Sequence, residues 1–265
     1  MASKEPNEAY DRPAGRVTLV GAGPGAVDLI TLRGQKALKE ADVVIYDDLA
    51  NVALLEFCPA GTDRIYVGKR AGKHGAIQAE ISAVLVSEAQ RGRRVVRLKG
   101  GDPLIFGRGG EEERVLAEAG IPFDIVPGVT AATAAGAMTG IPLTHRQHAS
   151  AVVFVTGHEC SGKPGDAVVD WQALARTRAT LCIYMGVRRA GVIAAELRAG
   201  GLRGGTPVAV IANATLPNQS VQIGDLDSVD TLTAALEGQP ALIIVGEVVR
   251  LAEIVEQAKT ALAEI

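Results

Sequence analysis

Apolar residues along this chain fall into short runs separated by glycine-bearing turns and longer amphipathic stretches. Runs at 17–20, 43–46, 64–67, 95–98 and 123–126 are rich in β-branched residues. Short, nearly continuous apolar runs of this kind suit strands covered on both faces. Between them, 29–40, 76–91 and 109–119 carry apolar positions at helical spacing. The second half resumes with strands expected at 152–156, 180–185, 207–212, 220–223 and 241–248, and helices at 187–199, 229–236 and 251–263. This alternation predicts an α/β fold built on mixed, mostly parallel sheets flanked by helices. A boundary is expected within 127–141, where Gly136 and Gly140 give a helix a small, close-packing face. The expected division is a disordered tail at 1–15, an N-terminal lobe at 16–128 and a C-terminal lobe at 129–265.

One stretch does not fit a purely structural pattern. Residues 94–112, RVVRLKGGDPLIFGRGGEE, run from an apolar strand into Gly100-Gly101-Asp102-Pro103, then into a second glycine pair flanked by Arg108, Glu111 and Glu112. Glycine lets a backbone approach a ligand closely, and charged residues between such glycines are poor filler. The stretch reads as a ligand loop at a strand end. By spacing alone, Arg108 and Glu111 also suit a surface ion pair at a helix start. Asp102 before Pro103 also suits an ordinary turn.

The first strand ends in a second glycine loop. Gly21, Gly23 and Ala26 match a dinucleotide fingerprint, with Asp47 or Asp48 about 20 residues on as the ribose acid. An NAD-binding oxidoreductase is therefore one reading, and a bare strand-to-helix turn is another. Pro24 weighs against the first, because it removes an N–H that a pyrophosphate would use.

Composition narrows the classes. A length of 265 residues with 48% hydrophobic content is enough for a large core. A net charge of −3 gives no footprint for nucleic acid. Aromatics at 3% argue against single-strand recognition by stacking. The three cysteines, Cys58, Cys160 and Cys182, show neither metal spacing nor a disulfide framework, which fits a reducing cytoplasm. No metal site is expected. The polar start, MASKEPNEAYDRPAG, does not read as a leader, and no apolar run approaches the roughly 18 residues of a membrane span.

The motifs VGAGPG, GKRAGKH, VVRLKGGDPLIFGRGGEE, VPGVTAATAAGAMTGIPLTHR, VTGHE, YMG and PALIIVGEVVRL occur in that order. Together they resemble the uroporphyrinogen-III C-methyltransferases of the tetrapyrrole methylase family, over about residues 16–252. The resemblance implies two α/β lobes with an active site in the cleft between them, and a cytoplasmic homodimer. It implies S-adenosyl-L-methionine as methyl donor and S-adenosyl-L-homocysteine as product. The implied reaction is methylation of uroporphyrinogen III at C2 and C7, giving precorrin-2 through precorrin-1 for sirohaem, cobalamin or haem d1 synthesis. A methyltransferase for a later precorrin is a neighbouring reading.

The resemblance also implies roles. Arg108, Glu111 and His158 fall at catalytic positions. Arg108, Arg146 and His158 fall at substrate positions, with Lys69 and Arg70 in a basic loop bordering the cleft. Pro24, Gly100, Gly101, Asp102, Ile105, Thr130, Ala131, Met185, Ala212 and Ala241 fall at donor positions. His145 reads as a structural hydrogen-bonder. The chain departs from the pattern at Ala26, where relatives usually carry Asp, and at Asp48, where they usually carry Arg on the substrate side.

Overall fold

The computed structural model describes residues 15–68, 74–158, 168–236 and 238–252. The expected tail therefore lies outside the described residues, apart from Gly15. So does nearly all of the helix expected at 251–263. The chain divides into two compact units, 1–130 and 131–265.

The first unit carries strands β1 (Arg16–Gly21), β2 (Val43–Tyr46), β3 (Asp63–Tyr66), β4 (Arg94–Lys99) and β5 (Phe123–Val126) in one sheet, in the order β3-β2-β4-β1-β5. Every pairing in it is parallel. Helices α1 (Leu32–Lys39), α2 (His74–Gln90) and α3 (Gly109–Glu118) lie between strands in sequence. Alternate residues feed two cores. Val20, Val44, Val96 and Leu98 pack with Leu38 of α1, while Val17, Leu19, Val43, Ile45 and Val95 pack with Leu85 of α2 and Leu116 of α3. Burial on both faces is why these strands read as apolar runs rather than as alternation.

The second unit opens with α4 (Ala131–Thr139). It continues with β6 (Val152–Thr156), α5 (Trp171–Arg176), β7 (Thr180–Tyr184), α6 (Ala190–Ala199), β8 (Pro207–Ala212), β9 (Ser220–Asp225), α7 (Val229–Thr233) and β10 (Ala241–Val245). Its sheet runs β6-β7-β10-β8-β9. Only β6 and β7 pair in parallel; β10 lies antiparallel between β7 and β8, and β8 and β9 pair antiparallel. The α/β class expected from the sequence is the one observed, with parallel pairing concentrated in the first sheet. The second departs because no helix separates β8 from β9, and a short connection can only return a strand antiparallel.

Two expected elements, a helix and a strand, are shorter than their patterns. The stretch at 29–40 resolves into a 3-10 turn, Val27–Leu29, followed by α1 from Leu32, capped by Thr31, whose Oγ1 accepts the Gly34 N–H at 3.1 Å. The strand expected at 241–248 stops at Val245, and Gly246 turns the chain into a 3-10 turn, Glu247–Val249. The small-faced helix is α4. A Cβ on Gly136 would lie 2.7 Å from the Ile141 carbonyl oxygen.

Candidate active site

In open parallel sheets, ligands bind beyond the carboxyl ends of the strands. In the first unit that edge is built from three loops whose backbones pack directly against one another. β1 and β4 are neighbours, and the loops that follow them are hydrogen-bonded to each other. The Gly101 N–H donates to the Gly23 carbonyl at 2.7 Å, the Gly23 N–H to the Gly101 carbonyl at 3.2 Å, and the Ala22 N–H to the Lys99 carbonyl at 2.8 Å. The segment after β5 closes on the same point. A Cβ on Gly128 would lie 2.2 Å from the Gly101 carbonyl oxygen and 2.7 Å from the Gly21 Cα. These glycines are demanded by backbone contact, which no rotamer change can relieve.

Asp102 completes the assembly. Its Oδ2 accepts the Gly128 N–H at 3.0 Å and its Oδ1 the Leu104 N–H at 2.9 Å. Of the two roles open from the sequence, its carboxylate is engaged in fixing the loop. The geometry also removes the structural basis for the dinucleotide reading. The Gly23 N–H that a pyrophosphate would use is taken by Gly101, and α1 begins only at Leu32, well beyond the glycine turn. Asp47 is held by Arg97 Nη2 at 2.6 Å, and Asp48 accepts a hydrogen bond from the Tyr66 hydroxyl.

From Asp102 the chain makes a tight loop. Gly109 donates its N–H to the Pro103 carbonyl at 2.9 Å, and Phe106 and Arg108 both take left-handed backbone, φ 55° and 59°. That region costs about 1–2 kcal/mol per non-glycine residue. Ile105 and Phe106 stay partly exposed at the loop's crest. Arg108 sits at the N-cap position of α3 and grips Glu111 with two hydrogen bonds, Nε to Oε1 at 2.8 Å and Nη2 to Oε2 at 2.7 Å. Both side chains are about half exposed. The pair read from spacing is thus present, and it leaves the guanidinium accessible to an anion.

The Arg108 guanidinium holds the Glu111 carboxyl below the usual glutamate value of 4.5, against a smaller opposing effect of burial. A depressed folded-state pKa means the clamp's contribution is complete above the ordinary glutamate range and fades as pH falls through the lowered value. A carboxyl-carbon NMR titration should accordingly place the Glu111 midpoint below 4.5; a midpoint at or above it would mean that the clamp does not form in solution.

Beneath this loop lies a feature missed in the sequence. Arg97 and Lys99 project from β4 toward the α2/α3 side and are almost fully buried, as is Glu112 of α3. Glu112 Oε1 accepts from Lys99 Nζ at 2.9 Å, Gln78 Nε2 of α2 at 3.2 Å and Arg97 Nε at 3.3 Å. Burial, reinforced by Arg97, lowers the Lys99 pKa, and Glu112 partly restores it. Breaking a buried pair from one side typically costs about 3–5 kcal/mol. The sequence does hold a signal: two cations at i and i+2 in a central strand must find an anion when both faces are covered.

In the second unit, β6, β7 and β8 share a direction, so their carboxyl ends meet the start of β10 along one edge. Four of the expected residues fall there. Ala212 pairs with Ala241, and Met185 follows Tyr184, the partner of Leu242. Ala131 opens α4, whose Ala132 N–H donates to the Tyr184 hydroxyl at 3.0 Å. Met185 is half exposed and left-handed at φ 55°, so it is not a core residue. Ala212 is fully buried at the end of β8, between Ala241 of β10 and Ser220 of β9. His158 is exposed just past β6, after Gly157, whose N–H donates to the Tyr184 carbonyl at 2.7 Å. Arg146 is exposed in a turn closed by reciprocal hydrogen bonds between His145 and Ala149, of 2.9 and 3.0 Å. His145 Nδ1 accepts the Gln147 N–H at 3.2 Å, the structural role expected of it.

Pro24 and Thr130 complete the expected set in the first unit, Pro24 partly exposed in the first glycine loop and Thr130 nearly buried. Lys69 and Arg70 lie outside the described residues. Among the described residues, no three metal-ligating side chains of His, Cys, Asp or Glu cluster, and no helix is long and apolar enough to cross a membrane.

Comparison with known proteins bears on this arrangement. The model of the Tetrapyrrole (Corrin/Porphyrin) Methylases matches residues 16–230. A siroheme synthase of Yersinia pseudotuberculosis is 53% identical over 244 residues, which are 92% of this chain and 51% of that protein. The chain spans about half the length of the curated relatives it matches. Uroporphyrin-III C-methyltransferase of Thermus thermophilus, solved with S-adenosyl homocysteine, is 40% identical with a TM-score of 0.76, over 89% of this chain and 94% of that one. A cobalt precorrin-4 methyltransferase is 28% identical with a TM-score of 0.78, over 88% and 95%.

Proposed function

This chain belongs to the tetrapyrrole methylase family, and from that premise we propose that it transfers methyl groups from S-adenosyl-L-methionine to C2 and C7 of uroporphyrinogen III. The product is precorrin-2, formed through precorrin-1, for sirohaem, cobalamin or haem d1 synthesis. The observation that carries this reading is the continuity of one loop. Gly100–Asp102, locked to the first glycine loop, runs within a few residues into the accessible Arg108–Glu111 clamp. A donor platform and a carboxylate-binding cation therefore follow the same strand. The 40% identical uroporphyrin-III C-methyltransferase with bound S-adenosyl homocysteine supports it.

Pro24, Gly100, Gly101, Asp102, Ile105, Thr130, Ala131, Met185, Ala212 and Ala241 hold the donor. The set fits such a ligand: it is mostly backbone and small apolar side chains, and its one carboxylate is already satisfied by Gly128 and Leu104. When bound, S-adenosylmethionine supplies a sulfonium methyl that electron-rich pyrrole carbons can take directly. The protein's part is alignment and charge stabilisation. Arg108 anchors the macrocycle near the methyl group. Arg146, Lys69, Arg70 and His158 bind among its eight carboxylates, as guanidinium geometry favours. Glu111 holds Arg108, and Glu111 or His158 receives the proton lost from the methylated ring. The chain acts as a cytoplasmic homodimer, with no nucleic-acid or membrane partner.

Anaerobic assay with enzymatically generated uroporphyrinogen III tests this: the product should carry two added methyl groups, a net mass gain of two CH2 once each methylated ring has lost its proton. A gain of one methyl, or none, refutes the assignment. Turnover only on a later precorrin would favour the chemistry of the cobalt precorrin-4 methyltransferase instead. Tight NAD(H) binding without S-adenosylhomocysteine binding would return the chain to the dinucleotide reading.

A further inference from the structure

We infer that Glu112 is a positioning residue, which with Lys99 and Arg97 fixes the Gly100–Asp102 loop against the first turn of α3 and so sets where Arg108 stands. This rests on the proposed methyl transfer for its consequence, and on the geometry of the first unit for its premise.

Glu112 is the fully buried hub of an ionic cluster whose arms end beside the site. One arm is Lys99, 2.9 Å away, the last residue of β4 before Gly100. A second runs through Arg97 to Asp47, 2.6 Å from Arg97 Nη2. Asp47 Oδ1 in turn accepts the Leu49 N–H at 3.1 Å, and Leu49 lies against Gly100, where a Cβ would come within 2.6 Å of the Leu49 Cβ. The third arm is α3 itself, since Glu112 directly follows the Glu111 that grips Arg108. Gln78 adds α2 to the cluster at 3.2 Å.

Packing alone does not call for this. The same strand face buries Val95 in an apolar core, and well-packed apolar residues usually serve stability as well as a buried ionic cluster or better. What the ions add is direction. Three donors converging on Glu112 Oε1 pin that oxygen to β4 and α2, and with it the turn of α3 that carries it. Both flanking loops are backbone-built, so a shift in either is felt directly at the donor.

The test compares Lys99→Met, Glu112→Gln and the double variant. Each single change unbalances the cluster and should lower the melting temperature. The double change removes the buried pair together, while Arg97 keeps Asp47, so the melting temperature should return close to that of the wild type. Function should not return: S-adenosylhomocysteine binding should weaken about tenfold and turnover fall on the order of 100-fold, the scale of an ångström-level misplacement. A double variant with wild-type affinity and turnover overturns the inference. One as unstable as the single variants also overturns it, because the cluster would then serve folding. If the wild type does not methylate uroporphyrinogen III, the functional reading falls, and the S-adenosylhomocysteine titration alone decides the positioning role.

Discussion

Replacing Arg108 with alanine should lower turnover by about a thousandfold, the scale of losing one preorganised charged donor, while S-adenosylhomocysteine affinity stays within about threefold. The separation is expected because the donor loop is held by bonds that do not involve Arg108: Gly23 to Gly101, Ala22 to Lys99, and Asp102 to Gly128 and Leu104. Arg108 instead occupies the exposed start of α3, beside Glu111. Its left-handed backbone supplies a control. Arg108→Gly relieves the roughly 1–2 kcal/mol of conformational cost, so it should fold at least as well as the alanine variant and still be inactive. Arg108→Lys keeps the charge but loses the two-point grip on Glu111, and should retain an intermediate rate. Anaerobic turnover and calorimetric titration check all three. Near-wild-type turnover in the alanine variant would remove Arg108 from the mechanism.

Gly128→Ala should do the reverse, destroying donor binding and weakening the fold. The added methyl would meet two pieces of backbone, the Gly101 carbonyl oxygen at 2.2 Å and the Gly21 Cα at 2.7 Å. Neither can move by rotating a side chain, so one of the three loops must withdraw. Its withdrawal strains the 3.0 Å bond from Gly128 to Asp102. Overpacking of this kind typically costs about 1–3 kcal/mol, or very roughly 2–10 °C in melting temperature for a chain of this size. S-adenosylhomocysteine affinity should fall on the order of 100-fold, equivalent to about 2.8 kcal/mol, since the loop that withdraws carries the backbone proposed to hold the donor. A variant with unchanged affinity and melting temperature would show that the three loops do not meet in solution. Gly128 is outside the set named from the sequence. In VPGVT it reads as an ordinary turn glycine, and its role depends on two loops more than 25 residues away.

Other features divide along the same physical line. The central strands were legible because double-sided burial writes itself as short apolar runs, and runs such as 43–46 and 207–212 coincide with β2 and β8. The two glycine loops were legible because glycine is costly elsewhere. The antiparallel course of β9 and β10 was not, since alternation of element types does not fix strand direction when a helix is missing between β8 and β9. Short elements such as α5, with six residues, give too few turns for a helical period to register. Met185 belongs in a core by residue type, and only the resemblance points it to a ligand; the structure exposes it at a strand end.

Residues 94–112 show most plainly where each source of information ends. The sequence by itself determined that a strand runs into a glycine loop and then into a charged helix start, because those are local properties of backbone freedom and apolar periodicity. It also brought Arg108 and Glu111 within reach, since three residues on a helix make neighbours. Only the tertiary structure decided that Glu111 faces outward to Arg108 while Glu112, one residue on, is buried against Lys99 and Arg97. Two adjacent glutamates are identical as sequence. Their roles part because successive helix positions point about 100° apart, and what each then meets belongs to other elements of the fold.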